Sequence, residues 1–374
     1  MGMFKRLLRS LHPEPVGATG AVASPEFSLN RLARENPGLA GHYRWSTNVA
    51  PATGTPLFLH LGCGERVLDG FVNLDFIPHD ERVFAWNLLD LWPDEWTGVA
   101  EGVFSEDVLE HFFHAEQAYI LCNANRALRS GGVARTLMPS LPRLVDFSAD
   151  YKPEPNEFLH QVFGVETGAD ALNMGLRFSG HRWLHSPQSL ARMAAMCGFD
   201  VVPTTCAVST VEKFNGTNLR DENDSLSFAN DLRVARSISR TLLAPQTIVG
   251  ARPVEDLAEG ARLFVATAAR PTVEYVLPDR MESDALACLN IRSSNLSSFH
   301  EHNLKWLVID DVHRDSPWHF DETLKSRPCM NLVTRNQLRL VAGDAKQFGR
   351  LLFSPAAQVG EYFTLGCAEV FVLG

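Results

Sequence analysis

The stretch that most constrains this chain runs from Leu57 to Asp75 and reads LFLHLGCGERVLDGFVNLD. It opens with Leu57-Phe58-Leu59-His60-Leu61, an apolar run short enough to be a buried strand. The run ends in Gly62-Cys63-Gly64. Glycines there let the backbone turn sharply and leave no Cβ between the loop and a ligand. A second apolar run, Phe71 to Leu74, ends on Asp75. An acidic residue at the tip of the second strand is where an α/β nucleotide fold holds ribose hydroxyls. The plainer alternative is a glycine-cornered β-turn-β with a capping Asp.

The spacing selects among nucleotides. A dinucleotide site needs G-x-G-x-x-G, a long helix, and an acid about 20 residues on. Here Val67 stands where the third glycine belongs, and Asp75 follows Gly64 by only 11 residues (75 − 64). That leaves no room for a long helix to offer its N-terminus to a pyrophosphate. A ligand with a ribose and no phosphate fits better, and S-adenosylmethionine is such a ligand. Gly62, Cys63, Gly64 and Asp75 are then its expected contacts.

The block resembles the first motif of class I S-adenosylmethionine-dependent methyltransferases, in particular the bacterial methyltransferase-11-like group, LxLGCGxxxxxGFVNxD. The resemblance spans roughly residues 56 to 271. It implies a Rossmann-like α/β sheet with helices on both faces and methyl transfer from S-adenosylmethionine. After a short third strand over Val83 to Trp86, Asn87 occupies the family's adenine-contacting corner and Leu88 is placed to pack on the ring; an ordinary loop Asn is the alternative. The block from Ser105 to His111, SEDVLEH, resembles the family's S-x-x-V-L-E-H after the fourth strand, beside the methionine part of the cofactor. Ser105 is therefore a cofactor candidate. His111 is either a catalytic base or a residue that orients this loop by hydrogen bonds. Glu110, His111 and His114 are too sparse in sequence to define a metal site, and none is expected. Where the family often carries Asp, this chain has Ser140.

The same reading predicts a helix over Asp107 to Leu128 that stops at Ser130-Gly131-Gly132, with a fifth strand from Val133 to Met138. A lid insertion of one or two helices is expected over 143–180. SGHRWLHSPQSL resembles the family's G-H-x-W block. In it Ser186-Pro187 starts a helix, and Phe199 to Val202 follows as the sixth strand. His181 is the better-placed base candidate, with a structural hydrogen-bonding role as its alternative. Residues 205–262 give little signal; LRVARSISRTLLA reads as helix-like, and Arg262 to Thr267 as the last strand of the α/β domain.

Three segments result: a helix and arm over 1–55, the methyltransferase-like domain over 56–271, and a region over 272–374 made of eight short β-rich runs, read as an all-β sandwich. The ending GEYFTLGCAEVFVLG faintly resembles discoidin-like, galactose-binding domains, which would make Trp306, Trp318 and His319 candidate sugar contacts. Phe4, Leu7, Leu8 and Leu11 share a helical face that either caps the core or meets a membrane surface or partner.

Composition narrows the partners. A net charge of −10 over 374 residues disfavours nucleic-acid binding. The 45% apolar content supplies a sizeable core, yet no run is long enough for a membrane span. Seven cysteines, an odd number with no C-x-x-C, suggest reduced thiols in a cytoplasmic protein. The expected acceptor is a small hydroxylated molecule, a sugar or glycan-related metabolite methylated on oxygen, and a homodimer is compatible. The rival expectation is an inactive cofactor-fold module that presents the β-region to glycans or partners.

Overall fold

The computed structural model describes residues 57–77, 80–89, 91–154, 156–178, 180–220, 224–256, 262–269, 271–276 and 357–374, and, between them, the strand backbones 286–295, 304–306, 324–325, 337–342 and 348–354. The expected N-terminal helix and arm, the run CMNLVT, Trp318, His319 and the side chain of Trp306 lie outside the described residues.

The strands β1 (Leu57–Leu61), β2 (Val72–Asp75), β3 (Val83–Ala85), β4 (Ala100–Glu106), β5 (Leu128–Pro139), β6 (Phe199–Thr204) and β7 (Ser227–Val234) form one sheet in the order β3-β2-β1-β4-β5-β7-β6. The first five run parallel. β7 is inserted antiparallel to both β5 and β6. This is a Rossmann-like sheet of the class I methyltransferase type. Side chains alternate across it as a pleat requires. Leu57, Leu59 and Leu61 of β1 and Val103 of β4 enter the large core cluster. Phe58 of β1 and Phe104 of β4 enter a second cluster with Phe214.

The large cluster also receives α1 (His114–Ala127) and, after the lid helices α2 (Leu141–Ala149), α3 (Glu157–Phe163) and α4 (Gly168–Asn173), helix α5 (Pro187–Met196). The second cluster is roofed by residues 205–217 with a 3-10 turn at Glu212–Phe214, whose Phe214 ring meets Phe58 edge-on at 5.9 Å. At the start of α5 the Ser186 side chain accepts the Ser189 N–H at 3.1 Å, the cap expected from Ser-Pro.

Several expectations change. The helix expected from Asp107 begins only at His114 and ends at Ala127. Asp107 has φ +56°, a left-handed conformation incompatible with a helix start, and a separate 3-10 turn covers Leu109–His111. The segment expected to form a lid holds three α-helices and a π-turn, Met174–Phe178, where one or two helices were expected. LRVARSISRTLLA is no helix: it contains the end of β7, a turn, and β8 (Ile238–Leu243).

The seventh strand of the α/β sheet is thus Ser227–Val234, and every strand after it joins an antiparallel sheet. β9 (Thr247–Val249), β12 (Thr272–Val276), β15 (Leu324–Lys325), β16 (Gln337–Ala342) and β17 (Phe348–Ser354) form a five-stranded sheet in the order β15-β16-β17-β12-β9. β10 (Ala251–Asp256), β11 (Arg262–Ala266), β13 (Leu286–Asn295), β14 (Leu304–Trp306) and β18 (Tyr362–Leu373) form the other sheet, and β8 pairs with β18. The strand expected at Arg262 to Thr267 pairs with β18, outside the α/β sheet. The change of architecture falls between Val234 and Ile238, not at 271. The two antiparallel sheets meet where the Tyr275 hydroxyl donates to the Gly366 carbonyl at 2.9 Å.

Candidate active site

The site is built from the carboxyl ends of β1, β2 and β4, where open α/β sheets hold ligands. β1 and β2 are parallel and adjacent, yet only residues 62–71 connect them, with no helix among them. Such a short crossover needs special backbone. Gly62 and Gly64 both have positive φ, +58° and +53°. At Gly62 the requirement is also steric: a Cβ would stand 2.6 Å from Cγ2 of Val108. The loop is closed by the Gly64 N–H, which donates to Asp75 Oδ2 at 2.7 Å. The other oxygen, Oδ1, accepts the Ile77 N–H at 2.9 Å. Two backbone donors hold the carboxylate at the strand tip, and each oxygen keeps a second lone pair with which to accept a hydroxyl.

Cys63 lies between the glycines. Its backbone N–H reaches Leu74 O at 3.0 Å, and burial, aided by Asp75, pushes its thiol up to about 12, so it is no nucleophile at neutral pH. Asn87 follows β3, where its side-chain oxygen accepts the Leu89 N–H at 3.0 Å. Leu88 is buried in the large core cluster, which directs it to packing. Ser105 is paired in register with Leu61 and Thr136, buried beside the start of the glycine loop. Phe76 and Ile77, which no motif singles out, follow Asp75 and are 55% and 56% exposed. Apolar side chains left in water next to the acid suit the face of a flat aromatic base.

Val108 carries the site from the glycine loop to the histidines. The next turn, Leu109–His111, places His111 against His181, with ring centroids 5.2 Å apart although the two stand 70 positions apart in sequence (181 − 111). The His181 loop is fixed from two sides. The Glu110 carbonyl accepts the N–H groups of Arg182 at 2.7 Å and Trp183 at 3.2 Å. His181 Nδ1 lies 2.7 Å from the carbonyl of Gly175 in the lid. A carbonyl only accepts, so Nδ1 carries the proton and Nε2 is a lone-pair acceptor. Burial lowers the pKa of both histidines, so both imidazoles are neutral at pH 7. The third histidine of the block, His185, is structural: it is buried, held by Ser189 Oγ at 2.8 Å and Gln117 Oε1 at 2.7 Å, and lowered by burial to about 3.

A charged network that the sequence did not reveal anchors residues 209–220 and 224–227 over this edge. Arg220 pairs with Asp107 and Asp224 and bonds Ser227 Oγ. Burial opposes its charge, but the two carboxylates hold its pKa above the ordinary value. Glu106 accepts the Leu219 N–H at 2.8 Å and the Arg220 N–H at 3.1 Å.

The sheet order and the loop closed on Asp75 define a fold of the class I S-adenosylmethionine-dependent methyltransferase type. No family model matches the chain, and no curated protein matches it. Among solved structures it is similar to a possible exported protein from Bordetella parapertussis, at 14% identity and TM-score 0.32, covering 62% of this chain and 78% of that one. It is similar to the Haloferax volcanii complex of the Trm112 methyltransferase activator with its putative methyltransferase, at 13% identity and TM-score 0.29, covering 55% and 95%. It is also similar to an S-adenosylmethionine-dependent methyltransferase from Archaeoglobus fulgidus, at 14% identity and TM-score 0.28, covering 55% and 94%. Likenesses this distant say what the chain is similar to; its fold class rests on its own strand order.

Proposed function

We propose that this chain transfers the methyl group of S-adenosylmethionine to the hydroxyl of a small acceptor, a sugar or glycan-related metabolite. The observation that carries the reading is the glycine loop closed on Asp75 by the 2.7 Å bond, at the carboxyl edge of a methyltransferase-type sheet. Asp75 accepts the ribose hydroxyls, and the backbone around Gly62 and Gly64 leaves room for the methionine part. Asn87, Phe76 and Ile77 border the adenine, and Ser105 lines the inner wall.

The acceptor enters beneath the lid, beside His111 and His181. Its oxygen attacks the methyl carbon in line with the departing sulfur. The C–O bond forms as the C–S bond breaks, and S-adenosylhomocysteine leaves as a neutral thioether. The hydroxyl proton passes to Nε2 of His181, the acceptor nitrogen of a neutral ring. His111 sits nearer the glycine loop and shapes the methionine end. Holding both reactants in line is the larger contribution, because two bound partners react as one.

The test is S-adenosylhomocysteine release from S-adenosylmethionine across a panel of hydroxylated acceptors. His181→Ala should lower turnover roughly 10²-fold or more while cofactor affinity stays within a few-fold. His111→Ala should damage cofactor binding or stability first. Full turnover in His181→Ala removes it from the mechanism. Cofactor binding with no turnover on any acceptor supports the inactive-module reading instead.

A further inference from the structure

We propose that Glu110, His111 and His181 form a binding site for one divalent first-row transition ion such as Zn²⁺. One ligand atom from each residue lies within 4.8 Å of the other two, and His181 Nε2 stands 4.0 Å from Glu110 Oε1. An ion bonded to all three at about 2.0–2.2 Å in tetrahedral geometry holds its ligand atoms about 3.3–3.6 Å apart, so these separations close by up to about 1.5 Å, a side-chain adjustment.

Glu110 supplies the independent observation. Its side chain is fully buried, and neither carboxylate oxygen has a hydrogen-bond partner. An ionised carboxylate in that state is costly, and a bound cation removes the cost. The imidazoles are prepared for the same task. His181 Nδ1–H donates to the Gly175 carbonyl, which leaves Nε2 facing Glu110; such an outer contact orients metal-bound histidines.

Two nitrogens and one carboxylate suit Zn²⁺, Fe²⁺, Co²⁺ or Ni²⁺ better than Mg²⁺ or Ca²⁺. Three protein ligands leave at least one coordination position open, the mark of a catalytic site and not a structural one. The inference rests on the reading above for where the acceptor lies, and it changes how the proton leaves. An acceptor hydroxyl on the open position is acidified by the ion and releases its proton to water. The resulting alkoxide attacks the methyl carbon, the sulfonium accepts the C–S electron pair, and both products are neutral.

The site is tested with the metal alone on chelator-treated full-length protein. Co²⁺ should bind with one-to-one stoichiometry, give visible ligand-field bands, and be displaced by Zn²⁺. Glu110→Gln, which keeps the shape and removes the charge, and His181→Ala should each weaken binding tenfold or more. Near-ultraviolet circular dichroism reports whether each variant is folded; if Glu110→Gln is not, His181→Ala at the rim carries the test. No saturable binding at millimolar ion, or unchanged affinity in both variants, overturns the proposal. S-adenosylmethionine calorimetry on the same samples separates the two ideas: cofactor binding without ion binding removes the ion alone, and the converse removes the cofactor reading alone.

Discussion

At the scale of single residues, the histidines show how one side chain takes different roles through its neighbours. His60 is buried on β1 against Asn73 Oδ1 at 3.0 Å, and burial lowers it to about 4; His185 is lowered to about 3. Both are neutral when folded but protonate with an ordinary pKa of about 6.5 when unfolded. The unfolded chain therefore binds more protons as pH falls. The stability they contribute is present above about pH 6.5 and is lost as pH drops toward 4, at up to about 1.4 kcal/mol per pH unit for each histidine. Replacing His185 by Gln, which can still meet Gln117, removes one of the two. The difference in urea stability between the two proteins should shrink by that slope from pH 6.5 to 4. A pH-independent difference would show that His185 is not buried neutral.

At the scale of elements, legibility followed the range of the interactions. The β1–loop–β2 block was readable because its determinants are local: an apolar run, two glycines that must take positive φ, and an acid closed back on Gly64. Ser186-Pro187 was readable for the same reason. β7 was not. Its Asn230 and Asp231 look unfit for a buried strand, and Asp231 is made acceptable by distant partners: the buried Arg135 pair at 3.0 Å, from a strand 96 residues earlier (231 − 135), on one oxygen, and Ser209 Oγ at 2.9 Å with Thr210 on the other. The start of α1 was misplaced because Asp107 leaves the helical region to face Arg220. The same long-range logic hid the Glu110–His111–His181 cluster, because His181 stands 70 positions after His111 in sequence. The Arg220 anchor yields a prediction at this scale. Arg220→Met should leave Asp107 and Asp224 without their shared cation, costing about 3–5 kcal/mol in the local closed state. Tryptic cleavage at Lys213 should accelerate at least tenfold, by about the local opening free energy lost. Unchanged cleavage would show that the segment is held by Phe214 packing alone.

At the scale of the whole molecule, the β-region completes the α/β core. Phe371 and Leu373 of β18 belong to the same buried cluster as β1 and α1, and the Phe371 ring meets Tyr119 edge-on at 5.6 Å. The Tyr119 hydroxyl donates to Glu369 at 3.0 Å, and Arg240 pairs with Glu369 at 3.2 Å and with Asp94. Asn125 of α1 ties the β7–β8 turn, donating to Arg236 O at 3.0 Å and accepting the Ile238 N–H at 3.0 Å. From composition and strand spacing the chain reads as two modules divided near 271, and a fragment ending there would be expected to fold and bind cofactor. The contacts predict the opposite: that fragment bares α1 and leaves β8 and β11 without β18, so it should be insoluble or lack a cooperative transition. In the full chain, Phe371→Ala should cost about 3–5 kcal/mol in urea unfolding. A soluble, cooperatively folding fragment 1–271 would mean that the C-terminal strand merely leans on the α/β unit.

The methyl-transfer function proposed for this chain depends on the glycine loop and Asp75 holding S-adenosylmethionine, and calorimetric titration of the full chain and of Asp75→Ala with S-adenosylmethionine and S-adenosylhomocysteine tests that most directly. If Asp75 accepts both ribose hydroxyls as proposed, truncation removes two charge-assisted bonds worth about 1.5–3 kcal/mol each. The account predicts one-to-one binding of both ligands by the parent and a loss of at least tenfold in Asp75→Ala, with the fold intact by circular dichroism. Failure of the parent to bind either ligand, or equal affinity in Asp75→Ala, would contradict it.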